Sequence, residues 1–532
     1  MTNQQFFLKE NVFVEPLVNN WYAWPNLISP IPYSMYMVKT HLRLMKSFVN
    51  NYELHIIANQ NPEMAGGGEF VDCSAEQVED VKRLIEKFEN EGAIFKELAD
   101  SVSALDDLIK SHKSGETIEP LYDQVPEHLK GYVELFMDLY HNPSYRLIEG
   151  LLYDSEYYKR ELQSVSFGIL DDDANRPFVL STPRLADQNN IQLRLPFASP
   201  LWDIIFKARE LPISKAQIDQ VFQAGDTQGG LDYMELFTTE PPSLTYQAPE
   251  QGSEASYIGH AGFMVHNKEV AVVIDPVIAY RTNKIKHDVI SFSQLPPKID
   301  YLCLTHNHSD HVNIESLLQI RHKVDTVLVP KNNGGSLCDP SLKLILQQIG
   351  FKVMELEDME VIGLPEGKLM SIPFLGEHGD LNIRSKTAWF IELAGKRMYF
   401  GADSANVEPK MYQHIAKITG ELDILAIGME CVGAPYTWLY GALTTDPVSK
   451  NIKDSRRLNG SDFDKASNMI KIFNAKQVLI YALGLEPWYG YFMGVDYSDD
   501  SEQIVQSNQL LEHCSSLNIP CERAYGIRNI AL

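Results

Sequence analysis

"CLTHNHSDHVN", residues 303–313, decides how the rest of the chain is read. It places His306, His308, Asp310 and His311 within six positions, directly after the apolar run "IDYLCLT". Histidines at i and i+2 in a loop leaving a strand can converge on one ion. Asp310 and His311, past the turn of the chain, can reach a second. The stretch therefore predicts two metal ions a few ångströms apart, at the end of a strand over 299–304.

The sequence around it has the texture of an α/β protein. Upstream, "ASYIGHAGFMVHN" (255–267) and "EVAVVIDPV" (269–277) read as the two strands of a hairpin. Downstream, "ESLLQIRHK" is helical, "TVLVPK" a strand and "SLKLILQQIG" a helix. "AWFIELAGKRMYFGAD", "LDILAIGME" and "KQVLIYALG" are strand-like runs that end in polar or glycine-bearing loops. Strands alternating with helices, with chemistry at the strand ends, describe an α/β sandwich of two mixed sheets.

Before residue 245 the pattern is mixed α/β and carries no recognisable chemistry. "SAEQVEDVKRLIEKFENEG" predicts a helix opened by a capping box of Ser74 and Gln77 and closed near Gly92. "AGGG" (Ala65–Gly68) lacks the G-K-[ST] ending of a phosphate loop and reads as a plain turn. "TTEPPSLTYQAPEQGSEAS", 238–256, is the candidate linker. The expected division is a domain over 1–245 and a metal-binding domain over 246–532.

Composition narrows the function classes. The 532 residues carry 46 Lys+Arg against 71 Asp+Glu, a formal charge of −25. A surface that acidic argues against sequence-independent binding to nucleic acid or anionic lipid. The six cysteines are scattered without a C-x-x-C pair, and no signal-like start or long apolar run is present. A reduced, cytoplasmic protein is the expectation, with no nucleic acid and no membrane among its partners.

The histidine-rich loop resembles the signature of the metallo-β-lactamase superfamily, whose αββα sandwich would then occupy the C-terminal part behind a mixed α/β N-terminal domain. "YFGAD", ending in Asp403, is similar to that family's strand bearing a bridging aspartate. Asp275 reads as a turn residue before Pro276, and His260 as a neighbour of the metals rather than a ligand. Two departures stand out. Where hydrolytic members place a third histidine, this chain has "IPFLGEHGDLN", and of adjacent Glu377 and His378 only one can face the metals. The strand "KQVLIYALG" ends in Ala482, Leu483 and Gly484, none of which ligates. A shell with fewer imidazoles and more carboxylates suits an iron pair that binds O2.

This combination resembles the CmlA-type diiron β-hydroxylases of antibiotic biosynthesis, and the likeness runs through the whole chain. The resemblance implies an O2-dependent diiron monooxygenase. Its substrate would be an aminoacyl thioester, L-p-aminophenylalanine in the chloramphenicol pathway, tethered to the carrier domain of a nonribosomal peptide synthetase. Two iron ions, O2 and an electron donor are implied as cofactors and partners. His306, His308 and Glu377 would hold the first iron, Asp310 and His311 the second, with Asp403 bridging and His378 behind Glu377.

Other residues are candidates on weaker grounds. Glu430 ends a strand that faces the site in this fold. Trp438, Trp488 and Tyr489, with Tyr436, Tyr440 and Tyr491 nearby in sequence, could wall a pocket for an aromatic side chain. Lys453, Arg456 and Arg457 form a basic cluster that could meet an acidic carrier. The N-terminal domain would serve dimerisation or shape a substrate tunnel. The competing reading is a dinuclear zinc or iron hydrolase of a phosphodiester, lactone or thioester.

Overall fold

A computed structural model describes residues 4–61, 68–171, 176–282, 289–494 and 497–531. Of the Ala65–Gly68 turn, only Gly68 falls among the described residues.

The C-terminal half is built on two seven-stranded mixed sheets. The first runs in the order Val353–Leu356, Val324–Pro330, Ile299–Cys303, Ala271–Ile274, Gly262–His266, Glu254–Gly259, Arg528–Ala531. The second runs Val361–Leu364, Gly367–Ile372, Ala388–Leu393, Lys396–Phe400, Ile424–Gly428, Gln477–Tyr481, Cys521–Arg523. Alternate residues explain the sandwich. Phe263, Val265, Val272 and Ile274 from one sheet share a buried cluster with Trp389, Ile391, Phe400 and Leu479 from the other. The opposite face of the second sheet, with Phe390, Tyr399 and Ile427, packs on helices Pro409–Thr419 and Phe463–Phe473.

One expectation needs correcting. The stretch 255–267 is not one strand of a hairpin; it is itself a hairpin, Glu254–Gly259 paired with Gly262–His266, and Ala271–Ile274 adds a third strand. The reversal at "GHAG" needs left-handed backbone, and His260 sits there at φ +47° beside Gly259 at +146°. A glycine-flanked histidine is thereby lifted to the end of the sheet where the metal loop also lies.

The N-terminal half contains a five-stranded sheet, Trp21–Tyr22, Val12–Val18, Gln163–Ile169, Asn190–Arg194, Asp226–Gly229. The capping box of Ser74 and Gln77 opens a 3-10 turn that continues into helix Val78–Glu91, which ends at Gly92. Residues 239–253 carry no strand or helix. The halves are packed together: Trp24, Ile28 and Tyr36 share a buried cluster with Tyr436, Tyr440 and Leu443. Among the described residues, no helix is long and apolar enough to cross a membrane.

Candidate metal centre

The loop leaving strand Ile299–Cys303 is folded back on itself by two amides, His311 and Val312, which donate to the His308 carbonyl at 3.2 and 2.8 Å. It then enters helix Ile314–Ile320, whose cap Asn313 accepts from the Ser316 amide at 2.8 Å. This one loop thus presents His306 and His308 to one group of candidate ligands and Asp310 and His311 to the other. Glu377 arrives from the loop after strand Gly367–Ile372, at φ +71° and with its amide on the Asn459 carbonyl. Asp403 follows strand Lys396–Phe400, in a turn pinned where the Ala402 amide donates to Tyr481 Oη at 2.7 Å.

These side chains fall into two groups. His306, His308, Glu377 and Asp403 each offer a ligand atom within 4.8 Å of one another, and so do His260, Asp310 and His311. His306 Nε2 lies 3.1 Å from His308 Nδ1, which lies 3.1 Å from Glu377 Oε1. Asp403 Oδ2 stands between the groups, 3.7 Å from His306 Nε2 and 3.0 Å from His311 Nε2. His311 Nε2 is 3.6 Å from Asp310 Oδ2, and His260 Nε2 is 3.0 Å from the same oxygen. Adjacent Glu377 and His378 diverge as their neighbourhood in sequence requires: Glu377 faces the site, and His378 turns its Nδ1 to Tyr440 Oη at 3.0 Å.

The rear nitrogens of His306, His308 and His311 are also engaged, which sets the ligating atom of each. His306 Nδ1 is 3.0 Å from Thr305 Oγ1, and His311 Nδ1 is 2.8 Å from Asp275 Oδ2, so Nε2 faces the other candidate ligands in both. His308 is reversed, with Nε2 2.8 Å from Tyr440 Oη and Nδ1 turned inward. Asp275 is more than the turn residue its place before Pro276 suggests. It accepts from the Thr305 amide at 2.8 Å and from the Thr305 hydroxyl, and so orients His311 from behind.

The electrostatics demand a cation. Burial, then the neighbouring imidazoles of His311 and His308, push His306 well below the ordinary histidine range, and burial brings His308 to about 4. Both therefore present lone pairs. Burial, then Asp403 and Asp310, raise Glu377 well above the carboxylate range. For His311 burial works downward, but Asp403 and Asp310 overcome it and raise the ring well above its usual value. Glu377 Oε2 and Asp403 Oδ1 are buried without a hydrogen-bond partner among the described residues. Converging lone pairs and orphaned carboxylate oxygens fit two metal ions, and the mixed imidazole and carboxylate donor set is compatible with iron.

A cavity of about 230 Å³ opens onto the site, touching His308, Asp310, Glu377, Asp403 and Glu430. Its apolar wall includes Trp438, Leu439, Leu458, Phe492 and Met493. Trp488 and Tyr489 are not on it. They are buried in a cluster with Val277, Ala279 and Tyr491, where Tyr489 Oη donates to the Val277 carbonyl at 2.9 Å. The pocket role expected for these two rings thus goes to packing, because both follow the strand end into the space behind the His260 turn. Arg457 lines the cavity and donates to the Gly433 carbonyl, while Arg456 donates to Gly379 at 2.7 Å; Lys453 is exposed. A larger cavity, about 630 Å³, lies in the N-terminal half beside Glu15 and Arg184, but it holds none of the metal-site residues. Sequence reasoning missed Tyr440 as the partner of His308 and did not place His260 among the possible ligands; the glycines flanking His260 were the available signal.

Comparisons with known proteins show the family. A family model described as "Diiron non-heme beta-hydroxylase N-terminal domain" matches residues 7–241, and one described as "Beta-lactamase superfamily domain" matches 271–434. The 4-amino-L-phenylalanyl-[CmlP-peptidyl-carrier-protein] 3-hydroxylase of Streptomyces venezuelae is 34% identical over 541 residues, covering 99% of this chain and 100% of the relative. The crystal structure of CmlA, a diiron β-hydroxylase from the same organism, superposes with a TM-score of 0.91 at 33% identity, covering 100% of both chains. A CmlA mutant superposes with a TM-score of 0.90, covering 99% of this chain.

Proposed function

The chain belongs to the CmlA-type diiron β-hydroxylases, and from that premise we propose that it hydroxylates the β-carbon of an aromatic aminoacyl group held as a thioester on a nonribosomal peptide synthetase carrier domain. The 4-amino-L-phenylalanyl group, named for the relative, is the leading candidate, as in chloramphenicol biosynthesis. The hydrolase alternative falls with the family assignment. The observation that supports the residue roles best is the position of Asp403 Oδ2, one oxygen within 3.7 Å of an imidazole from each group.

His306 Nε2, His308 Nδ1 and Glu377 would hold the first iron; His311 Nε2, Asp310 and, beyond the sequence expectation, His260 Nε2 the second, with Asp403 between them. When bound, the pair supplies reductive activation of O2, with electrons from an external donor, for insertion of oxygen at a C–H bond. The protein's part is to hold the substrate. The apolar wall excludes water around the reacting carbon. A cavity of about 230 Å³ admits an aminoacyl group and not a carrier domain, so the thioester arm must deliver it. Glu430, a carboxyl group on the cavity wall, would accept a hydrogen bond from the α-amino group of the substrate. Lys453, Arg456 and Arg457 remain the basic group proposed for carrier docking, and the domain over 1–245 is proposed to shape the substrate tunnel and to support a homodimer.

Metal content, followed by reduction and exposure to O2, tests the reading. About two irons per chain, an oxygen-dependent optical change, and hydroxylation of a carrier-bound aminoacyl group far faster than of the free amino acid are expected. Equal rates on both would remove the carrier from the function. A finer prediction concerns Tyr440. Tyr440→Phe keeps the ring but removes the hydroxyl that orients His308, so iron affinity at the first position should fall about 10- to 100-fold. Iron titration monitored optically reads this directly, and an unchanged titration would mean that packing alone aims His308.

A further inference from the structure

The metal cavity is not walled by the catalytic half alone. Phe178 and Leu180, both from the N-terminal half, line it together with Trp438, Phe492 and Met493. They flank Val179 in a turn, closed where the Thr182 amide donates to the Phe178 carbonyl at 3.2 Å, and the Val179 side chain is buried in the cluster of Tyr489, Tyr491 and Phe492. The segment is pinned at its centre, where the Val179 amide donates to the Tyr491 carbonyl at 2.8 Å.

Both ends are clamped by buried charge. Arg176 Nη1 donates to Glu15 Oε1 at 3.2 Å and to Glu315 Oε1 at 3.0 Å, with its guanidinium 3.4 Å from the centre of the Tyr491 ring. Arg184 donates to both oxygens of Glu15, at 2.8 and 3.1 Å, and to the Pro177 and Thr182 carbonyls. Glu315 lies in helix Ile314–Ile320, which begins directly after the metal loop. Arginine–carboxylate pairs of this kind hold a fixed geometry because the guanidinium fork is planar. The fit of Phe178 is equally close: a Cβ on Gly494 would lie 2.5 Å from its ring.

We propose that Phe178, held in this clamped strap of the N-terminal half and flanked by Leu180, selects the side chain of the substrate by packing against its aromatic ring. This rests on the aminoacyl hydroxylase reading given above. Leu180 also packs partly against the core, whereas Phe178 joins neither core cluster and lines a cavity shared with four proposed metal ligands. Trp438 and Phe492 add aromatic surface to the same cavity, and a planar substrate ring makes edge-to-face and stacked contacts with such surfaces that an aliphatic chain cannot make.

The experiment uses the full-length iron-loaded enzyme and one carrier domain loaded in turn with an aromatic group (4-aminophenylalanyl) and an aliphatic one (leucyl). Phe178→Ala should retain two irons and the wild-type optical spectrum, while the ratio of aromatic to aliphatic kcat/KM falls roughly tenfold, the worth of a lost ring contact plus its area. Phe178→Tyr should keep most of the ratio. Phe178→Leu provides the same comparison with a smaller cavity, should Phe178→Ala fold poorly. An unchanged ratio in Phe178→Leu, with both rates altered equally, would overturn the proposal. Wild-type enzyme that turns over neither loaded carrier would instead overturn the function reading, so the two failures are distinct.

Discussion

Asp403→Ala is expected to give a folded protein that no longer holds an iron pair and whose hydroxylation of a carrier-bound substrate falls at least about a thousandfold, roughly 4 kcal/mol of barrier. The size of the effect follows from position. Asp403 Oδ2 lies close to a candidate ligand atom in each group, His306 Nε2 and His311 Nε2. Its removal takes a ligand from both sites and leaves Glu377 as the remaining carboxylate of its group. Folding should survive, because the turn around Asp403 is held by backbone contacts: the Ala402 amide on Tyr481 Oη and the Gly401 amide on the Ala426 carbonyl. Iron analysis, the optical spectrum and a product assay on one preparation check it together. Two irons with an unaltered spectrum would remove Asp403 from the bridging position.

Glu315→Ala should be the most destabilising single change in the clamp, by about 3–5 kcal/mol, the usual cost of stranding a buried charge. The Glu315 side chain is 2% exposed and serves Arg176, Tyr22 and Tyr280 at once, at 3.0, 2.8 and 2.6 Å. Without it, Glu15 alone must balance both Arg176 and Arg184. Replacing Arg176 by methionine in the same chain should recover part of the loss, since it removes the cation that the missing glutamate left underpaired. Denaturant unfolding reads the difference, and a cost below about 1 kcal/mol would show that the cluster is wet and weakly coupled. Because the same glutamate ties the strap to the helix after the metal loop, the variant should also blur aromatic selection where it still folds.

Much of this protein was legible because its decisive features are local. The spacing of His306, His308, Asp310 and His311 is a property of one loop, and a strand before it with an Asn-capped helix after it suffices to aim the four side chains together. The capping box at Ser74 and Gln77 is local in the same sense, and so is the turn at "GHAG" once its glycines are weighed. The reading of 255–267 as a single strand failed because an apolar run on both sides of a tight reversal has the same composition as one long strand.

What the amino-acid sequence determined by itself was therefore the metal loop, the two-sheet architecture around it and, through its resemblances, the family. The tertiary structure alone decided which distant residues complete the site. Glu377 rather than its neighbour His378 faces the ligands, His308 turns Nδ1 inward because Tyr440 holds its other nitrogen, and His260 joins Asp310 from a turn fifty positions away. It alone decided too that Trp438 lines the cavity while Trp488 and Tyr489 are packed behind it, and that Phe178 reaches the cavity from the other half of the chain. The physical reason is the same in each case. Spacing along a chain fixes directions only over a few residues; beyond that, sheet register, buried hydrogen bonds and the packing of two halves determine which side chains meet.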